Sequence, residues 1–189
     1  EWFIESCKKI SYLFPRAHAV AYVMMAFRIA WFKVYHPLAF YAAYFSIRAK
    51  AFDLRIMTGD LKTQMTEFNR IKALDRGASP KDKDLMSALE VSMEMYQRGY
   101  RFVNVDIQHS EARRFSIKDG ALLPPFLAID SLGETVADAI VAEREERPFT
   151  SLKDLQRRCK VSNTIIDLMK ELKCCGELPE DEQMSLFGA

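Results

Sequence analysis

Residues 129–144 read IDSLGETVADAIVAER, and residues 149–172 read FTSLKDLQRRCKVSNTIIDLMKEL. In the first stretch Leu132-Gly133 stands between two apolar helical patterns, and Ala137 and Ile140 follow at the spacing of one helix face. That arrangement predicts a helix-hairpin-helix, in which a tight Gly turn leaves backbone N–H groups exposed at the start of the second helix. Such donors, aided by the helix dipole, can hold a phosphate oxygen of DNA without reading its sequence. In the second stretch Thr150 or Ser151 caps a short helix, KVSN makes the turn, and Ser162 caps a helix with apolar Ile165, Ile166, Leu168, Met169 and Leu172. Arg157, Arg158 and Lys160 stand just before that turn, where a phosphate would lie. One such unit could be an ordinary helical hairpin with Gly at a helix end. Two in tandem, with cations at the second turn, point to duplex DNA held by its backbone. The candidate contacts are Ser131, Gly133, Thr135, Arg157, Arg158, Lys160 and Ser162.

Outward toward the N-terminus the chemistry changes. From Ser6 to Phe52 there is no Asp or Glu, while the same stretch carries Lys8, Lys9, Arg16, Arg28, Lys33, Arg48 and Lys50, with His18 and His36. The whole chain has a formal net charge of only +1, so the cations are segregated and suit an anionic partner. AHAVAYVMMAFRIAWFKV has no Gly or Pro and predicts a buried helix starting after Pro15. A second helix is expected from about Pro37 to Lys50. Arg28, Lys33 and Pro37 break the apolar runs short of the roughly 20 residues that span a bilayer, so a membrane partner is not expected. His18 and Tyr22 share a helix face, and Arg16 sits in the first turn. A lone His on an apolar helix is most often a satisfied core residue. With Arg16, Lys8 and Lys9 nearby, the group also makes a cradle for a nucleoside triphosphate.

Between these regions, residues 59–74 predict a helix with Leu61, Met65, Phe68, Ile71 and Leu74 on one face. Ser79-Pro80, with Asp82 three residues after Ser79, predicts a capped helix burying Leu85, Leu89, Met93 and Tyr96 and ending at Gly99. Asp82 and Asp84 form a D-x-D, better read as a solvated helix start than as a two-metal site. RFVNVDI alternates as a strand would, and RRFSIKDGALLPPF predicts a hairpin about Lys-Asp-Gly. After Pro124-Pro125 the chain should be helical to about Cys175. The final GELPEDEQMSLFGA has no helical period and reads as a flexible tail. Its Gln183-Met184-Ser185-Leu186-Phe187 has the Q-x-S-L-F form of a peptide that docks on a ring-shaped sliding clamp through Gln183, Ser185, Leu186 and Phe187.

Composition excludes little more. The chain has 189 residues, 49% apolar and 28% charged, with four cysteines, as in soluble globular proteins of one medium or two small domains. No C-x-x-C pair, P-loop or nucleophile–base pair is present, so a zinc site, a disulfide framework or a self-contained catalytic centre is not expected. A reducing, cytoplasmic setting is the default. The chain begins at Glu1 within an amphipathic pattern and reads as part of something longer, with no signal peptide.

Taken in order, EWFIESCKKISYLFPRAHAVAYVMMAFRIAWFKVYHP, ALEVSMEMYQRGYRFVNVDI, LLPPFLAIDSLGETVADAI and LPEDEQMSLF resemble the C-terminal part of the bacterial replicative DNA polymerase III alpha chain of the PolC type. The resemblance implies a mainly α fold with a small β element. Residues 1–57 would be the end of a fingers domain that closes over the incoming deoxynucleoside triphosphate. Residues 58–100 would be connecting helices, 101–128 the β element, 129–176 a tandem helix-hairpin-helix duplex-binding region and 177–189 the tail with the clamp peptide. Arg16, His18 and Tyr22 match the fingers motif, with Arg16 where Lys is commoner. Lys173-Cys174-Cys175 departs from the Gly-plus-aliphatic pattern that usually closes the second hairpin, and Met184 replaces the usual Leu of the clamp peptide. The resemblance implies nucleotidyl transfer by the whole polymerase, with magnesium held by palm carboxylates outside this chain, and no cofactor or activity in this segment alone. The competing readings are a free-standing, non-catalytic DNA-binding clamp adaptor and a membrane-associated structural protein built on the basic apolar block.

Overall fold

The computed structural model describes residues 1–9 and 15–181, which fall into two compact units, residues 1–40 and 41–189. The division after Phe40 lies inside the stretch 1–57 that the sequence groups together. In the first unit, α1 (Trp2–Lys8) is followed by α2 (Arg16–Tyr35). Pro15, whose fixed φ suits a helix start, directly precedes α2. His36 leaves the helical region, and α3 (Pro37–Ile47) restarts at Pro37. The sequence predicts a buried α2, and this is corrected: α2 buries no residue. Met24 and Met25 are each 52% exposed and Phe27 is 70% exposed. An all-round apolar pattern shows that a helix needs covering, but it does not say that the covering belongs to the same segment. At 20 residues α2 is also long and apolar enough to cross a membrane by length and composition, a length that the charged positions hide in the sequence.

The second unit is built from capped helices. Asp53 caps α4 (Leu54–Met57) and Asp60 caps α5 (Leu61–Ala73), each accepting from a backbone N–H three residues on. Ser79 and Asp82 form the expected capping box at the start of α6 (Pro80–Gln97), with Pro80 in the first turn. Asp82 accepts from the Ser79 amide and hydroxyl and pairs with Arg70 at 3.5 Å, as a helix start should. The buried side of α5 is rotated from the expected face. Gln64 and Ile71 are buried, whereas Met65 and Leu74 are exposed. The reason is polar: Gln64 donates to the carbonyl of Met57 at 3.1 Å and accepts from Ser92 Oγ of α6 at 2.6 Å, so a satisfied amide takes a core position.

RFVNVDI is not a strand. It makes a single bridge, Phe102 to Leu122. Its second half is tied elsewhere, with Asn104 Nδ2 donating to the carbonyl of Leu172 and the Ile107 amide to the carbonyl of Cys174 at 3.2 Å. The hairpin is present as β1 (Ser116–Lys118) and β2 (Ala121–Leu123), paired antiparallel. Its two-residue turn has Asp119 at φ 50° and Gly120 at φ 74°, the left-handed pair that matches strand twist. Phe45, Phe52, Phe102 and Phe115 stack edge to face or tilted beneath it.

Beyond Pro125 the chain is helical as expected, in a short 3-10 turn, Phe126–Ala128, then α7 (Glu134–Glu146), α8 (Leu152–Cys159) and α9 (Asn163–Glu171), separated by the turns the sequence marks. Their apolar faces share one core with Phe126, Ile129, Leu132, Phe149, Cys174 and Cys175. Residues 178–181, expected as part of a flexible tail, are instead held against α8 and α9.

Candidate nucleic-acid interface

The two hairpin turns have one backbone design. In the first, Ser131 is left-handed at φ 64°, Leu132 is buried, and Gly133 is the extended N-cap of α7 at φ −76° and ψ 157°. In the second, Lys160 is left-handed at φ 54°, Val161 is buried, and Ser162 is the extended N-cap of α9 at φ −71° and ψ 156°. A buried aliphatic residue pins each turn from below, and the left-handed residue reverses the chain so that the next helix starts at the surface. Gly133, Thr135, Lys160, Ser162 and Asn163 are all exposed. Among the described residues, no protein acceptor meets the first-turn amides of Glu134 and Thr135 in α7, or of Asn163 and Thr164 in α9. These are the orphan donors that a helix start offers to an anion.

Charge separates the two turns. Glu134 in the first turn of α7 and Asp138 one turn on both pair with Arg113. Arg113 in turn holds the Asp138 carboxyl below its ordinary value. The first turn of α9 contains no acid, and Lys160 stands at its entrance.

Of the three cations predicted here, the structure separates one from the surface. Arg158 is only 10% exposed. Its guanidinium pairs with Glu143 at 2.9 Å and Asp154 at 3.3 Å, donates to the carbonyls of Glu143 and Arg147, and lies 4.7 Å from the Phe149 ring centroid. It braces α7 against α8. Arg157 also reaches Asp154, at 2.9 Å, but is 67% exposed. Asp154 is buried and gathers Arg147, Arg157, Arg158 and the Thr150 amide. Burial alone would raise its pKa, yet these partners hold it below the ordinary value of 3.8. Sequence reading missed Asp154 because an acid in a first helical turn is usually a solvated one. The close of the second hairpin, where Lys173-Cys174-Cys175 departs from the expected pattern, is made by Lys173 at φ 56° and by the Cys174 amide donating to the carbonyl of Met169 at 2.9 Å. Lysine takes the left-handed position that Gly usually fills.

In the first unit, Arg16, His18 and Tyr22 lie exposed along the first turns of α2. The His18 and Tyr22 rings meet edge to face, with centroids 4.4 Å apart. Lys8 pairs with Glu5 at 3.6 Å and Lys9 is the C-cap of α1. Gln183, Ser185, Leu186 and Phe187 lie outside the described residues.

Residues 99–183 match a family model described as a helix-hairpin-helix motif. Over 187 residues and 99% of its length, the chain is 49% identical to a "DNA polymerase III PolC-type" of Caldanaerobacter subterraneus subsp. tengcongensis. Over 190 residues it is 50% identical to the protein of that name in Streptococcus suis, and 47% identical to one in Streptococcus pyogenes. The chain spans 13% of the length of each of these relatives. Near-complete coverage at about half identity, with the twin hairpin turns in place, makes this chain a segment belonging to the PolC-type DNA polymerase III family.

Proposed function

We propose that this chain serves a replicative DNA polymerase by holding the primer-template duplex through its phosphates, by contacting the incoming deoxynucleoside triphosphate, and by tethering the enzyme to a sliding clamp. The observation that carries the first role is the repeated turn, which presents unpartnered first-turn amides at the starts of α7 and α9. Lys160, Arg157 and Ser162 at the second turn, and Ser131, Gly133 and Thr135 at the first, are the contacts. Arg158 supports the fold beneath them. Contacts of this kind address the sugar-phosphate backbone and discriminate little between sequences.

Arg16, His18, Tyr22, Lys8 and Lys9 supply the positive, acid-poor surface for the triphosphate, and Gln183, Ser185, Leu186 and Phe187 the clamp peptide. Exposed α2 is the face covered by the rest of the polymerase chain. The setting is the bacterial cytoplasm, where replication takes place. Two-metal nucleotidyl transfer belongs to carboxylates outside this segment. Asp82 of the D-x-D is engaged by Ser79 and Arg70. The relatives' name favours this reading over a free-standing adaptor.

Titrating the polymerase with duplexes of unrelated sequence at two salt concentrations tests it. Affinity should be alike across sequences and fall steeply with salt. A strong preference for one sequence, or a flat salt response, overturns it.

A further inference from the structure

The first N–H groups of a helix have no acceptor within the helix. In α8 they belong to Leu152, Lys153 and Asp154. The Asp154 amide donates to Ser151 Oγ at 3.0 Å. The other two are met by chain that lies beyond both hairpins. The Leu152 amide donates to the carbonyl of Pro179 at 2.9 Å, and the Lys153 amide to the carbonyl of Glu180 at 3.2 Å. Side chains reinforce this seam. Lys170 of α9 pairs with Glu180 at 2.6 Å, and Lys153 pairs with Asp181. Leu178 packs against the hairpin core. The hydrogen bond from Lys170, with its charge, holds the Glu180 carboxyl below its ordinary value. Any one exposed ion pair contributes little. Here two ion pairs, two backbone bonds and an apolar anchor fall within four consecutive residues, so the contacts act together.

Position gives the seam its meaning. Lys170 stands eight residues after the N-cap Ser162, about 12 Å along the helix at 1.5 Å per residue. Lys153 is at the start of α8, and Lys160 is past its other end. Residues 178–181 therefore bind the end of the second hairpin remote from the turn that faces DNA. In sequence only Glu182 separates Asp181 from Gln183, and one residue reaches at most about 3.6 Å.

We propose that residues 178–181 are a strap that fixes the root of the clamp peptide to the start of α8 and the end of α9, so that one rigid hairpin holds duplex at its turn and the sliding clamp at its opposite end. The proposal rests on the reading of residues 183–187 as a clamp peptide. It replaces a long flexible leash with a short one, which confines the clamp to a defined place beside the duplex and raises its effective concentration there.

Amide hydrogen exchange on the whole polymerase, with and without clamp, tests the strap. The Leu152 and Lys153 amides have their acceptors in the strap. They should be slow in both states, and Glu180→Lys with Asp181→Lys should speed their exchange at least tenfold while amides within α9 stay slow. Adding Lys153→Glu and Lys170→Glu to that pair should restore protection. Unchanged exchange in the double variant, or loss of protection when the clamp binds, overturns the proposal. Clamp binding by the wild-type enzyme is measured alongside. If none occurs, the clamp reading fails and the proposal fails with it, distinguishably, because the two amides then stay protected with no complex formed.

Discussion

Ser131-Leu132-Gly133 and Lys160-Val161-Ser162 trace the same path with different side chains. Both place a left-handed residue, then a buried aliphatic one, then an extended N-cap. The first turn is flanked by Glu134 and Asp138, which share Arg113, and the second by Lys160 with no acid in the following helical turn. The pair teaches that the geometry of an open helix start and its charge are separable. The amides come from backbone shape, which one buried residue and one αL residue suffice to fix. The pull on an anion comes from side chains that can differ between copies. A carboxylate at the start of α7 complements that helix dipole, whereas the first turn of α9 carries none.

The largest effect should come from the brace made by Arg158 and Asp154 beside the second turn. Asp154→Ala would leave Arg158 buried without one of its acids. Breaking a buried pair in this way costs about 3 kcal/mol, read as a lower denaturation midpoint, and an equally stable variant would refute the brace. The same group predicts a pH response. The Asp154 carboxyl is lowered from 3.8 in the folded chain, so its contribution is full well above that value and is lost as pH falls through 3.8 toward the folded pKa. Asp154→Asn should flatten that acid limb of the stability profile.

Charge at the second turn should matter next. Lys160→Gln is expected to weaken duplex binding about fivefold near physiological salt and to reduce the salt slope by about 0.9, the value for one phosphate contact. The reciprocal change, Ser131→Lys, should strengthen binding by a few-fold if charge is the whole difference between the turns. A gain absent in Ser131→Lys, with a loss present in Lys160→Gln, would show that the first turn does not reach the duplex.

The smallest effect tests the shared backbone. A non-Gly residue in the left-handed region carries a strain of about 1 kcal/mol, so Ser131→Gly should raise stability by up to about that amount, while any fall in duplex affinity measures what the Ser131 hydroxyl contributes as a contact. A loss of stability would mean that the Ser131 side chain supports the turn.

Much of this design is legible in the sequence because it is local. Pro15, Pro37, the Ser79–Asp82 box, Asp119-Gly120 and Ser162 act on their own neighbours, and each marks an element boundary found in the structure. What escaped the sequence depends on distant partners. Arg158 looks like a free cation until Glu143 and Asp154 are brought to it, and Gln64 looks like a solvent residue until Ser92 arrives. RFVNVDI alternates like a strand, yet half of it answers to Leu172 and Cys174. The acidic stretch 177–181 has no period to betray its seat, since its partners are the amides of a helix start and two lysines far back in the chain.

The tie between Asn104 and Leu172 joins residues 68 positions apart, and Ile107 is bound to Cys174 two residues further on. Chains emerge from the ribosome from their N-terminal end. Residues 104–107 must therefore wait, through synthesis of the β hairpin and both helical hairpins, for the partners that complete them. The backbone amide of Ile107, a residue only 1% exposed, finds its acceptor only when Cys174 has been made. A chain released in that interval would leave Ile107 and its amide open to water, because the core residues that cover them, Ile165, Met169 and Cys174 among them, have not yet been made.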